Sequence, residues 1–142
     1  MSPSFTASRL PRCLPLRLHP GDDLRRVLEA VPSAHGVAAA FVLAGIGSLS
    51  RTQLRLAGAD AATAVQGDVE LLSLSGSLGV HGAHLHMSVA DAQGRVLGGH
   101  VLPGCTVRTT AEVLVLLLPD WQLARGLDPA TGYPELQVTR RG

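Results

Sequence analysis

From Val37 onward the sequence breaks into short apolar or alternating runs, separated by Gly, Asp and Pro. The runs occupy residues 37–44, 51–56, 69–75, 81–90, 96–102 and 106–118. Segments of that length and texture, bounded by turn formers, read as strands. Only one stretch has helical periodicity: Leu24, Val27, Leu28 and Val31 follow the i, i+3, i+4, i+7 spacing, with Arg25, Arg26 and Glu29 on the other side. Asp22 or Asp23 is placed to cap its first turn, and Pro32 is expected to end it. One helix against six or seven strands predicts an α+β domain with a mostly antiparallel sheet.

The periodicity also assigns faces. Arg51 to Leu56 alternates, with Thr52, Leu54 and Leu56 on one side and Arg51, Gln53 and Arg55 on the other, so this strand is half exposed. Residues 113–118 are apolar throughout and call for cover on both faces, by the helix on one side and by more sheet or a second subunit on the other. A length of 142 residues suits one domain. The expected organisation is a disordered arm over 1–15, the domain over 16–138 and a tail over 139–142.

Composition removes several function classes. Net charge is +1, and all 12 cationic residues are Arg. Without Lys there is neither a Schiff-base lysine nor a phosphate-loop lysine. The balance of charge argues against a chain that wraps phosphate, and four aromatics, Phe5, Phe41, Trp121 and Tyr133, cannot build a stacking platform for single-stranded nucleic acid. No run approaches the roughly 18 apolar residues of a membrane helix, and residues 1–15 lack the apolar stretch of a signal peptide, although Arg9, Arg12 and several Ser weakly resemble a transit peptide. Cys13 and Cys105 lie far apart without a CxxC, which fits a reducing cytoplasm.

The chemistry concentrates in His84-Leu85-His86, Asp91-Ala92-Gln93-Gly94 and Gly98-Gly99-His100. Histidines at i and i+2 on a strand share a face, about 6–7 Å apart. The segment 91–94 reads as a type I turn with Gly in the left-handed position, which fixes a hairpin register. Counting back from Asp91 opposite Arg95 pairs Ser88 with Gly98, His86 with His100 and His84 with Leu102. Three imidazoles then converge on one face, close enough to meet a single ion at ~2.0–2.1 Å each, and Gly98 leaves space above the sheet. A one-residue slip would destroy the set. The plain alternative is three structural histidines bonded to backbone carbonyls. His81 has the opposite parity, and His19 and His35 sit in loops, so none of these three is expected to join.

Weaker candidates surround this set. Glu70 and Glu112 each interrupt an apolar strand and could act as base or ligand; the alternative is an outward carboxylate or an ion pair with Arg108 or Arg51. Ser73, Ser75 and Ser77 lie outside any GxSxG elbow, Gly45-Ile46-Gly47-Ser48 reads as a turn, and Cys105 reads as a small buried hydrophobe.

The run from Gly67 to Ser77, His84-Leu85-His86, the stretch from Asp91 to His100, Gly104-Cys105-Thr106-Val107 and the late Arg125-Gly126-Leu127-Asp128-Pro129-Ala130-Thr131-Gly132 together resemble the plants-and-prokaryotes conserved (PPC) domain, over about residues 16–136. The resemblance implies a stand-alone prokaryotic-type α+β domain of unestablished role, a curled antiparallel sheet with one main helix, that assembles as a homotrimer. Plant members carry an Arg-Gly-Arg AT-hook before the domain, and these residues contain none, so DNA association rests on the family label alone. Residues 67–72 correspond to the plant partner-contact motif, with Asp68 in place of a basic residue and Val69 in place of an aromatic one. A more distant resemblance, to acetolactate decarboxylase and a related zinc ester hydrolase, implies His84, His86 and His100 as ligands of a divalent transition metal, zinc first. It also implies a possible small-molecule ligand at that metal, with Glu70, Glu112 or Arg108 around it, and hence a lyase or ester hydrolase acting on a small oxygenated acid.

Overall fold

In the computed structural model, which describes residues 9–141, nine strands and two short helices follow one another as β1 (Arg12–Leu18), α1 (Leu24–Glu29), α2 (Val31–Ala34), β2 (Ala39–Arg55), β3 (Thr63–Val65), β4 (Val69–Gly79), β5 (Gly82–Ala90), β6 (Val96–Val101), β7 (Thr106–Leu117), β8 (Trp121–Asp128) and β9 (Tyr133–Arg140). Seven strands form one antiparallel sheet in the order β1-β7-β2-β4-β5-β6, with β3 added to β2. The α+β class and the antiparallel sheet are as the sequence predicts.

The curl comes from β2. Its first part pairs with β4, and its last residues pair with β6, Leu54 opposite Val101 and Arg55 opposite His100. A strand of 17 residues serves two neighbours because it bends at register shifts near Val42, Gly47 and Leu49; such irregularities raise the local twist. Gly45-Ile46-Gly47-Ser48, expected to be a turn, is therefore the bent middle of this strand. The glycine at 47 has φ +155°, and a Cβ there would overlap the Thr110 carbonyl oxygen.

The concave side holds the core. Leu24 and Leu28 of α1 pack with Leu18, Leu49, Leu54, Leu78, Leu85, Val101, Val107 and Leu117, and Asp23 caps the helix by accepting the Arg26 N–H at 3.1 Å. Arg25 fastens α1 to the strands that carry the histidines. Its guanidinium donates to Val101 O at 2.7 Å and Ala83 O at 2.9 Å while pairing with Glu29 at 2.8 Å. Thr52 and Leu54 face inward and Arg51 and Arg55 outward, as the alternation requires.

Three expectations change. Pro32 does not end helical structure; it lies in the first turn of α2, where its missing N–H costs no bond. Residues 12–15 are not part of an arm, since β1 pairs along its whole length with β7, from Arg12 opposite Leu117 to Leu18 opposite Ala111. Residues 1–8 lie outside the described residues. At the other end β9 runs to Arg140, so residues 139–140 belong to a hairpin with β8 rather than to a tail.

Candidate metal centre

The 91–94 turn forms as its residues dictate. Gly94 has φ +76° and donates to Asp91 O at 2.9 Å, Asp91 N donates to Arg95 O at 3.0 Å, and the Asp91 carboxylate accepts from the Gln93 and Arg95 amides. The hairpin then zips in the register counted from it, with Ala90 opposite Val96, Ser88 opposite Gly98 and His86 opposite His100. The pairing of His84 with Leu102 is not made: β6 ends at Val101, and Leu102 N donates instead to Gln53 O. His84 reaches the set from its own strand, two residues from His86.

The three rings meet. His86 Nε2 lies 3.1 Å from His84 Nε2 and 3.2 Å from His100 Nδ1, and the three candidate ligand atoms all fall within 4.8 Å of one another. His84 and His100 stack nearly parallel, with centroids 5.2 Å apart and planes 17° apart, and His86 stands edge-on to both. No carboxylate or backbone carbonyl bonds these ring nitrogens among the described residues. A neutral imidazole has one N–H, so the proton between His86 and one neighbour leaves its nitrogen facing the other without one. Two nitrogens bound tetrahedrally at ~2.0–2.1 Å to one ion lie roughly 3.3–3.4 Å apart. The spacing on His86 fits a shared divalent cation.

Electrostatics favours the neutral, ligating form. Desolvation by burial, followed by the field of Arg125 and of the other two imidazoles, lowers the pKa of His84 from its ordinary 6.5, with Glu135 opposing. Burial, then His86, Arg55 and Arg25 lower that of His100. His84 and His86 are exposed and His100 is half-buried.

Strand β4 forms the floor beside the rings, Ser75 opposite His86 and Ser77 opposite His84, with Phe41 of β2 beyond Ser77. Between the serines, Gly76 has φ +148°, and a Cβ there would overlap the His84 carbonyl oxygen, so only glycine lets β4 approach β5 where it bears the histidines. Gly98 has a similar basis. A Cβ would stand 2.9 Å from Met87 O, so strand approach, rather than open space for an ion, is what requires glycine there.

Over this floor opens a cavity of about 370 Å³, walled on the far side by Arg125, Glu135 and Leu136 of the β8–β9 hairpin. Glu70, Glu112 and Arg108 do not line it. Glu70 and Glu112 are exposed on β4 and β7, and Arg108 pairs with Asp68 at 3.1 Å. Arg125 and Glu135 had no place among the expected site residues. Their signal was two strand-length runs around Asp128-Pro129-Ala130-Thr131-Gly132, a hairpin loop closed by Gly132 N donating to Asp128 O at 2.7 Å. His81 lies in the β4–β5 turn and spends its Nδ1 on the Arg125 amide at 2.9 Å, outside the cluster as expected. Cys105 is buried, with its thiol pKa raised by that burial.

Known proteins resemble this chain to different degrees. The bifunctional protein GlmU of Synechococcus sp. (strain JA-2-3B'a(2-13)) is 47% identical over 124 residues, which cover 87% of this chain and 20% of that protein. The namesake from strain JA-3-3Ab is 46% identical over 129 residues. The chain thus spans about a fifth of the length of these curated relatives. Among solved structures, a hypothetical protein from Salmonella enterica superposes with a TM-score of 0.89 at 41% identity, over 95% of this chain and 97% of that one. The metal-containing protein of Archaeoglobus fulgidus gives 0.77 at 25% identity, over 92% and 96%. A family model matches residues 6–119, and the chain belongs to the Plants and Prokaryotes Conserved (PCC) domain family.

Proposed function

We propose that this chain is a cytoplasmic, homotrimeric metal-binding module in which His84, His86 and His100 hold one divalent transition metal, zinc first. The observation that carries this reading is the convergence of two ring nitrogens on His86 Nε2, at 3.1 and 3.2 Å, without a carboxylate or carbonyl between them. The metal-containing description of the Archaeoglobus relative supports it. Three imidazoles accept several late first-row metals, and supply decides among them. Elemental analysis of untagged protein tests the reading: near-stoichiometric metal, lost in His100→Ala, is expected, and metal-free protein that stays so after reconstitution refutes it.

Assembly follows from uncovered apolar surface. Leu43, Ile46 and Leu72 on β2 and β4 and Val138 on the hairpin are about half exposed, Leu127 of the hairpin more so, and Leu114 and Leu116 of the apolar strand β7 are only half-buried. A second face of cover was expected for this strand, and neighbouring copies would supply it. Light scattering should give three times the 14.8 kDa protomer; a monomer would refute the trimer. No helix among the described residues is long and apolar enough to cross a membrane.

The cavity favours a second reading, a metal-dependent lyase or ester hydrolase acting on a small oxygenated acid. When bound, the metal supplies a Lewis acid that polarises a substrate oxygen. Arg125 and Glu135, which line the cavity, take the positions expected of Glu70, Glu112 or Arg108: a cation to orient the acid and a carboxylate able to hold a proton. DNA retention is not expected. The net charge is only +1, and Arg9, Arg25, Arg26, Arg95 and Arg108 are each paired with a carboxylate, which weakens attraction to a polyanion.

A further inference from the structure

Arg125 is fixed in two places. Its backbone N–H donates to His81 Nδ1 at 2.9 Å, and Nη2 donates to Ser77 Oγ at 2.9 Å. Among the described residues Ser77 is one of three buried polar ones, only 7% exposed, and it sits on β4 directly opposite His84. The side chain that orients the guanidinium is thus tied to the strand pair that carries the metal ligands. A guanidinium has five N–H donors. Ser77 takes one, and among the described residues no carboxylate pairs with Arg125.

A cation held in this way beside three ligating imidazoles has an electrostatic cost. Its field reaches His84, where it disfavours positive charge, and a divalent ion on the histidines would add to it. Glu135 is the one carboxylate lining the cavity, and it already accepts a hydrogen bond from the Thr131 hydroxyl at 3.0 Å. Besides Ser77, Glu135 and the imidazoles of His84 and His86, the cavity is lined by Phe41, Ser75, Gly76 and Leu136, with neither a second guanidinium nor a helix N-terminus, and phosphate recognition commonly draws on such groups. A planar carboxylate matches the guanidinium fork.

We propose that the cavity binds a small carboxylic acid, its carboxylate on Arg125 oriented by Ser77 and its other end toward His84, His86 and His100. This assigns Arg125 as the residue that selects the anion and Ser77 as a positioning residue. It rests on the metal-centre reading and narrows the ligand to one class.

The test uses glycolate as probe on the full chain loaded with Co²⁺, read by calorimetry and by the visible Co²⁺ spectrum. The parent should bind glycolate saturably with a spectral change, and neutral ethylene glycol should not compete. Arg125→Gln should weaken glycolate about tenfold or more, the scale of a lost charge-assisted pair, with Co²⁺ affinity unchanged or raised. Ser77→Ala should weaken it severalfold with the spectrum of the bound ion intact. Glycolate affinity within twofold of the parent in Arg125→Gln, or equal binding of ethylene glycol, overturns the proposal. Should the parent take up no Co²⁺, the metal reading fails by itself. Glycolate titration of the metal-free chain, followed by amide NMR, then decides: saturable shifts at Ser77 and Arg125 that vanish in Arg125→Gln uphold the carboxylate site, and their absence overturns it.

Discussion

His86 is the hinge of the proposed metal centre. Its Nε2 is the atom near both other donors, 3.1 Å from His84 and 3.2 Å from His100. Replacing it with Ala leaves two nearly parallel rings 5.2 Å apart with no donor between them. Structural zinc sites with four protein ligands bind with about 10–16 kcal/mol, so one ligand corresponds to about 2.5–4 kcal/mol, on the order of 10²–10³ in Kd. His86→Ala should therefore weaken zinc by on the order of 10²–10³-fold, with His100→Ala close behind, whereas His81→Ala, whose ring bonds the Arg125 amide, should change zinc affinity less than about threefold. Competition against a chromophoric chelator measures all three. Thermal unfolding gives an independent reading, since zinc at 100 times Kd adds about 2.7 kcal/mol, roughly 5–11 °C for a chain of this size, and His86→Ala should abolish that gain. Equal zinc losses in His81→Ala and His86→Ala, or unchanged affinity in His86→Ala, would refute both the hairpin register and the shared ion.

Acid should weaken the metal-free fold through the same rings. His84 and His100 have folded-state pKa values below the ordinary 6.5, so near and below that pH the unfolded chain binds more protons and stability rises with pH. Their contribution is fully present above about pH 6.5 and is lost as pH falls through the depressed values; denaturant midpoints from pH 8 to 5 should decline less in the His84→Ala/His100→Ala double variant. Gly76→Ala should cost at least about 1–3 kcal/mol for its backbone conformation alone and loosen zinc as well, because β4 must withdraw from the His84 carbonyl; parent-like unfolding would exclude that close approach. Leu54→Ala, fully buried where β2 meets β6, should cost about 2–5 kcal/mol in urea unfolding. Arg108→Gln, an exposed pair with Asp68, should stay within about 0.5 kcal/mol and leave zinc affinity unchanged, and a large effect would return Arg108 to the site.

What the sequence determined by itself is local. The helix stripe of Leu24, Leu28 and Val31, the alternation around Leu54 and the 91–94 turn are encoded within a few residues, where periodicity and the left-handed glycine at 94 leave few alternatives. The opposition of His86 and His100 follows from that turn alone, because a hairpin loop fixes every pair behind it. The tertiary structure decided whatever depends on distant neighbours. β1 alternates Leu14, Leu16 and Leu18 through Pro15 and Arg17, a pattern too weak to announce a strand until β7 offers it a ladder. β2 could not be read as one strand, since the glycines at 45 and 47 signal a turn in isolation and become a bend only when β4, β6 and β7 hold both ends. The hairpin that carries Arg125 to Ser77, 48 residues away in the chain, is placed by the Leu123 contacts with Ala38 and Val80, pairings across more than 40 residues that periodicity does not encode. The three histidines were legible because one turn positions two of them; the cation across the cavity was not, because its position is a property of packing.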